Sequence, residues 1–403
     1  MIGKNKISGV VCEFNPLHNG HAALLSRISE EFGSDIVCVM SGNFVQRGEA
    51  AVLDKWSRTR LALQNGAALV LELPLPWAVA GAEKFALGGI SLLNALGCVD
   101  TLTFGSETGD TASLMHCAEY LHSDVFNSDI RPEVAKGVSF AAARTEAVKK
   151  ALGAETAELL TKPNCILGIE YCKAILSLNS NIVPQTVQRI AIDHDSDKAH
   201  GAFASASLIR SKSAEGEEIS SYVPENTAVC IRALQKEKQY PASLSYLDRA
   251  VLAAVSAMSP EDLRRVPDVS EGIENRILAA AETAETCTGS LARHGKSECV
   301  SCREILAILE QYFQRSSQQQ QLAQFSNQLH AVPTAAAGNQ NGAERNPANS
   351  AVQCQSLYQP ICRYRAGDEG TVCRLCKPES VFPEGYEGKP VYDSDFRPGY
   401  TDH

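Results

Sequence analysis

The chain has 403 residues, is 44% hydrophobic and carries a formal net charge of −10. That length buries one sizeable core and a second smaller one, and the acidic balance excludes a surface coated in positive field, so any nucleic-acid contact must be a local basic patch. No apolar run reaches the roughly 20 residues of a membrane span, because 67–79 is broken by Glu72, Pro74 and Pro76, and residues 1–6 lack the apolar stretch of a secretory leader; a soluble, cytoplasmic chain with no membrane partner is expected.

An apolar run over 7–12 predicts a buried parallel strand, Asn15-Pro16 ends it, and apolar spacing over 22–28 predicts the following helix. His18 and His21, separated by Asn19-Gly20, then stand at a helix N-terminus. Unpaired backbone N–H groups, the positive end of the dipole and a glycine that leaves room all suit a phosphate there. The plainer reading, histidines that cap or pack a first turn, fits one such residue better than two in a strand-turn-helix setting.

Further strands are predicted over 35–40, 68–73, 101–104 and 181–189, with helices over 56–64, 83–96, 115–124 and 132–152 between them. The last of these is Ala-rich and is expected to pack over the sheet. Such alternation predicts an α/β fold, a doubly wound parallel sheet whose strand C-terminal loops converge on one crevice. Those loops carry the two histidines, Gln46-Arg47 and Gly105. Pro163 opens another helix with Asn164 as its expected N-cap. Ser205, Ser207 and Arg210 share a short helical start, and hydroxyls with a guanidinium fork suit a polyphosphate.

His18-Asn19-Gly20-His21 resembles the HxGH signature of the nucleotidylyltransferase superfamily, which pairs it with a later Ser-x-Ser/Thr-x-x-Arg motif, here 205–210. The longer stretches 13–21, 40–49 and 104–107, with 163–171, Arg189-Ile190 and 205–210, are similar to the bacterial tRNA(Met) cytidine acetate ligase family. The similarity is dense over 7–211 and thinner to about 280.

The resemblance implies activation of acetate by ATP to acetyl-adenylate with release of pyrophosphate, followed by acetylation of N4 of the wobble cytidine in elongator tRNA(Met) and release of AMP. It assigns His18 and His21 to catalysis at the α-phosphorus. The ATP contacts it implies are Val11, Cys12, Glu13, Phe14, Asn15, Pro16, Leu17, His18, Asn19, Gly20, His21, Gly105, Asn164 and Arg189, joined by Ser207 and Arg210 from the superfamily pattern, with Mg²⁺ accompanying the nucleotide. Acetate needs no base, so positioning and charge stabilisation suffice. Gln46, Arg47 and Lys55 are candidates for the acetate or tRNA side, with a solvated surface role as the alternative for each.

Two other functions stay open: an adenylyltransferase acting on a small phosphorylated cofactor precursor, and a catalytically weak ATP- or RNA-binding protein. The second is favoured by the region 294–303, which lacks most of the charge of the family's basic, tRNA-binding run. The expected organisation is a nucleotidylyltransferase-like ATP-binding domain over 1–211, a smaller helical, tRNA-binding domain over 212–315 and a partly disordered tail over 316–403, polar and low in complexity at its start. No pattern specifies an oligomeric state.

Fourteen cysteines sit mostly singly in apolar segments, where Cys acts as a small hydrophobe. In the tail, Cys354, Cys362, Cys373 and Cys376 could close a structural zinc site. However, only Cys373 and Cys376 have the tight spacing, so a tail with free thiols is the competing expectation.

Overall fold

The computed structural model describes residues 6–46, 48–189, 201–266, 269 and 272–283. Five strands, β1 (Lys6–Cys12), β2 (Ser34–Ser41), β3 (Ala67–Leu73), β4 (Thr101–Ser106) and β5 (Val183–Gln188), form one parallel sheet in the order β3-β2-β1-β4-β5. The chain moves outward from β1 to β3 and then returns to β4 on the other side of β1. The strand order therefore reverses between β1 and β4, where open α/β sheets leave a crevice at the strand carboxyl ends.

Helices α1 (Asn19–Glu30), α2 (Lys55–Gln64), α3 (Leu75–Ala78) and α4 (Ala82–Ala95) connect the first four strands. The link from β4 to β5 holds α5 (Thr111–His122), α6 (Asp124–Val134), α7 (Phe140–Leu152), α8 (Ala154–Glu158) and α9 (Pro163–Ser177). After β5 come α10 (Ala206–Ala214), α11 (Glu225–Lys236), α12 (Asp248–Ser256), α13 (Pro260–Leu263) and α14 (Ile273–Thr283).

Successive strand residues face opposite sides of a sheet, and here both sides are buried. Val11, Val37, Val39 and Leu71 join the core beneath α4, α5 and α9. Their neighbours Val10, Cys38, Met40 and Val70 join the core beneath α1, α2, α10 and α11. Burial on both sides explains why the strands read as continuous apolar runs. A fully enclosed Leu25, Ile28 or Leu102 contributes roughly 1.5–3 kcal/mol.

A third core unites α12, α13 and α14 with Phe44 and Ala50 of the loop after β2 and with Val79. The helices after residue 244 thus pack directly on a loop at the carboxyl end of the sheet.

The helix expected over 132–152 is two helices. α6 ends at Val134, Gly137 turns the chain with φ 78°, and the Ser139 side chain caps α7 by accepting from the Ala142 N–H. α7 packs against α5, α6 and α8. No helix among the described residues is long and apolar enough to cross a membrane. Arg47, the region 294–303, the tail over 316–403 and its cysteines Cys354, Cys362, Cys373 and Cys376 lie outside the described residues.

Candidate active site

The turn between β1 and α1 is held from three directions. Phe14 adopts φ 46° with its ring buried beside Leu17, a backbone state that costs about 1–3 kcal/mol in a non-glycine residue and needs such anchoring. The Asn15 side-chain oxygen accepts from the Val52 N–H (2.8 Å). The Arg210 guanidinium donates to the Asn15 carbonyl (3.1 Å). Leu17 and Phe14 therefore act as core, and Val11 packs beneath α4 on the opposite side of the sheet.

His18 is the N-cap of α1. Its Nδ1 accepts from the backbone N–H of Gly20 (3.0 Å) and of His21 (3.4 Å), and the His18 N–H donates back to His21 Nδ1 (3.4 Å). The two rings stack at 3.7 Å between centroids and 20° between planes, and Phe14 meets His21 in a T-shaped contact with centroids 5.1 Å apart.

This arrangement revises the expectation of bare N–H groups at the helix start, because an imidazole already takes two of them. It also changes the reason for Gly20. A Cβ there would sit 2.9 Å from His18 Cε1, so the glycine makes room for the ring. With Nδ1 accepting on both residues, the proton of each neutral imidazole resides on Nε2, and the His21 ring also hydrogen-bonds the Pro16 backbone. Burial first, then the neighbouring His18 and Arg189, hold the His21 pKa well below the ordinary value.

Across the strand reversal, Gly105 in β4 performs the same service for Arg189. A Cβ at Gly105 would meet Arg189 Cγ at 3.0 Å. The Arg189 N–H donates to the Ser106 carbonyl (2.8 Å), while its buried Nε finds no hydrogen-bond partner among the described residues. Burial lowers the Arg189 pKa, with Glu107 acting against it. A half-buried guanidinium whose enclosed Nε is unsatisfied, close to the His21 imidazole, is prepared for an anion.

Asn164 is not the cap of α9. Lys162 occupies that position without a side-chain hydrogen bond, and Pro163 takes the first turn. The helix start is capped instead from the end of β4: Glu107 accepts from the Asn164 N–H (3.0 Å) and side chain (2.8 Å) and from the Cys165 N–H (2.8 Å). Burial raises the Glu107 pKa, and these hydrogen bonds outweigh it, so the carboxyl lies below its ordinary range.

The late motif folds against the histidine turn. The Ser205 side chain caps α10 by accepting from the Leu208 N–H (3.1 Å) and lies 3.0 Å from the Ser207 hydroxyl. Asn19 donates to the carbonyls of Ala202 (2.8 Å) and Ser221 (3.1 Å), which makes it a tie between the two segments. Arg210 also reaches Glu49 at 3.5 Å.

On the β2 and β3 side the buried charges are engaged. Arg58, with no exposed surface, donates to the carbonyls of Glu13 (2.6 Å), Ser41 (3.0 Å), Leu53 (3.0 Å) and Gly42. Burial pulls its pKa down to about 10. Glu13 accepts from the Gln46 N–H (2.7 Å); burial raises its pKa, opposed by that bond and by Arg58 and Arg210. Lys55 forms a nearly buried two-point ion pair with Glu72 (2.9 and 2.7 Å). The Cys12 thiol is pushed up by burial and by a hydrogen bond with Cys38, so it is no thiolate nucleophile.

The expected residues His18, His21, Gly105, Arg189 and Arg210 thus share one end of the sheet, with Asn164 attached through Glu107. Gln46 serves through its backbone, Lys55 is paired with Glu72, and Arg47 is not described. Sequence reasoning misses Arg58 and Glu107 as organisers. Arg58 shares its helical face with Leu61 and Ala62, three and four residues on, and that spacing is the signal that could have found it.

A family model described as HIGH Nucleotidyl Transferase matches residues 5–335. The tRNA(Met) cytidine acetate ligase of Acetivibrio thermocellus is 40% identical over 300 residues, covering 70% of each chain. That of Clostridium novyi is 37% identical over 317 residues, covering 76% of this chain and 78% of its own. Two solved structures of Thermotoga maritima TmcAL are also similar. The apo form has a TM-score of 0.71 at 30% identity over 78% of each chain. The form bound with alpha-thio ATP has a TM-score of 0.69 at 32% identity, covering 76% of this chain and 74% of that one.

Proposed function

Because the chain belongs to the tRNA(Met) cytidine acetate ligase family of HIGH nucleotidyl transferases, we propose that it uses ATP to join acetate to N4 of the wobble cytidine of elongator tRNA(Met). An acetate oxygen attacks the α-phosphorus and the bond to pyrophosphate breaks, leaving acetyl-adenylate. The exocyclic amine of the cytidine then attacks the acetyl carbon, AMP departs and the amine loses a proton. In this reading residues 1–211 bind ATP, 212–315 contribute to tRNA binding, and the reaction is cytoplasmic.

The observation that carries the reading is the stacked His18–His21 pair, neutral with the proton on Nε2, set near Arg189, whose buried Nε lacks a partner among the described residues. Donors already aimed at a place where charge develops lower a barrier without reorganising during reaction. Val11 to His21, Gly105, Asn164, Arg189, Ser207 and Arg210 are proposed as the nucleotide-binding set. The solved relative bound with alpha-thio ATP supports that nucleotide as the ligand.

A Mg²⁺ ion accompanying the triphosphate would meet few open carboxylates. Glu107 is committed to the start of α9, Glu13 to Gln46, and no group of three His, Cys, Asp or Glu able to hold a metal occurs among the described residues. Such an ion would be held through phosphate oxygens and water. It would supply charge neutralisation.

ATP–pyrophosphate exchange that requires acetate tests the first step, and mass spectrometry of tRNA nucleosides after incubation with ATP and labelled acetate tests the second. Exchange supported by a phosphorylated cofactor precursor and not by acetate would replace this reading with the adenylyltransferase.

A further inference from the structure

We infer that Trp56 is a stacking platform for a base flanking the target cytidine, an inference that rests on the proposed function. α2 begins on the loop leaving β2, and Ser57, Arg58, Thr59, Leu61 and Ala62 bury its inner side. The helix is therefore pinned, and the indole at its first turn projects with 56% of its surface exposed. Lys55 Nζ lies 5.4 Å from the ring centroid and is fixed in turn by both carboxylate oxygens of Glu72. A cation near the indole and a rigid backbone beneath it hold the ring in place while leaving its surface to solvent.

Arg60 and Gln64 are exposed one and two turns further along, so indole, guanidinium and amide line a single stripe. An aromatic ring beside a guanidinium is the chemistry that holds an unpaired base together with its phosphate. On a chain of net charge −10, Arg60 gives this stripe the cation that a backbone phosphate meets, Lys55 being already neutralised by Glu72.

Its location agrees. Gly42 lies against Glu72, so close that a Cβ would collide with the carboxylate, and Arg58 clamps the Gly42 and Glu13 carbonyls together. Trp56 therefore borders the same end of the sheet as the histidine turn. A cytidine presented to an acyl-adenylate must leave its stack, and the base beside it then needs another flat surface to lie against.

The test uses the full chain and an unmodified transcript of elongator tRNA(Met). Trp56→Ala is expected to weaken RNA binding by about 10-fold and to raise KM for RNA in acetyl transfer, with acetate-dependent ATP–pyrophosphate exchange unchanged. Trp56→Phe is expected to restore most of the loss. Trp77, the other tryptophan, is part-buried, so RNA should quench emission in the wild type and not in Trp56→Phe. Unchanged RNA affinity in Trp56→Ala would overturn the inference, as would a shift in oligomeric state at unchanged RNA affinity, which would mark a protein contact. Wild-type protein that exchanges pyrophosphate and does not acetylate the transcript would remove the proposed function and this inference with it.

Discussion

The two halves of the sheet's carboxyl end differ in how completely they pair their charged groups. On the β2 and β3 side, Arg58 donates to four carbonyls, Lys55 meets both oxygens of Glu72 and Glu13 receives the Gln46 N–H. On the β1 and β4 side, each imidazole accepts from the backbone of the turn at Nδ1, the His21 ring also meets the Pro16 backbone, and Arg189 keeps a buried Nε without a partner among the described residues. A buried polar group left unmade costs about 1–3 kcal/mol. The first half pairs its charges and acts as scaffold, although its Ser41 hydroxyl is also buried without a partner among the described residues; the unmade charged donor lies in the second half, where an anionic ligand gains most.

That contrast breaks if the scaffold half proves dispensable. Arg58→Met should have the largest effect, a loss of about 3–5 kcal/mol in urea denaturation, because four carbonyls lose their donor at once. A midpoint close to the wild type would show that water replaces the guanidinium and that this side is open to solvent.

The next effect belongs to the open half. His21→Ala should lower acetate-dependent ATP–pyrophosphate exchange by about 10²–10³-fold with an unchanged circular dichroism spectrum. Near-normal exchange in the folded variant would remove the imidazoles from the chemistry.

Gly105→Ala sharpens the comparison more finely. The added methyl meets Arg189 Cγ at 3.0 Å and must shift the flexible side chain that carries the guanidinium, so KM for ATP should rise by about 10-fold, equivalent to about 1.4 kcal/mol, with thermal stability little altered. Equal losses in stability and KM would indicate general damage to β4.

The smallest effect is set by protons. The folded chain holds the His21 pKa below its ordinary value of 6.5, so below that pH the unfolded chain binds more protons and stability falls as acid is added. The loss should be at most about 1.4 kcal/mol at about pH 5.5. Denaturation curves of wild type and His21→Gln at neutral pH and at that acid pH would show it as a difference that closes in the variant.

The strands are legible in the sequence because both sheet faces are buried and the runs stay apolar. The histidine turn is legible because strand, Asn-Pro and helix lie within a dozen residues. What escapes a sequence reading depends on partners far along the chain. The start of α9 is capped by Glu107 and not by Asn164, a contact that spans 57 positions. Arg58 gains its role only when the carbonyls of Glu13, Ser41 and Gly42 are gathered around it. The break at Gly137 is hidden because a helical pattern continues on both sides of it. The role of Gly20 is hidden too, since only the folded ring of His18 reveals what the missing side chain accommodates.

Phe44 and Ala50 sit in one apolar cluster with Leu247, Val251 and Ile277, and the loop they belong to supplies the N–H that restrains Glu13. A fragment trimmed to the sheet would lose the packing of that loop together with its last helices. The candidate site and the distal helices are therefore mechanically joined, and neither would be expected to keep its packing if grafted elsewhere alone.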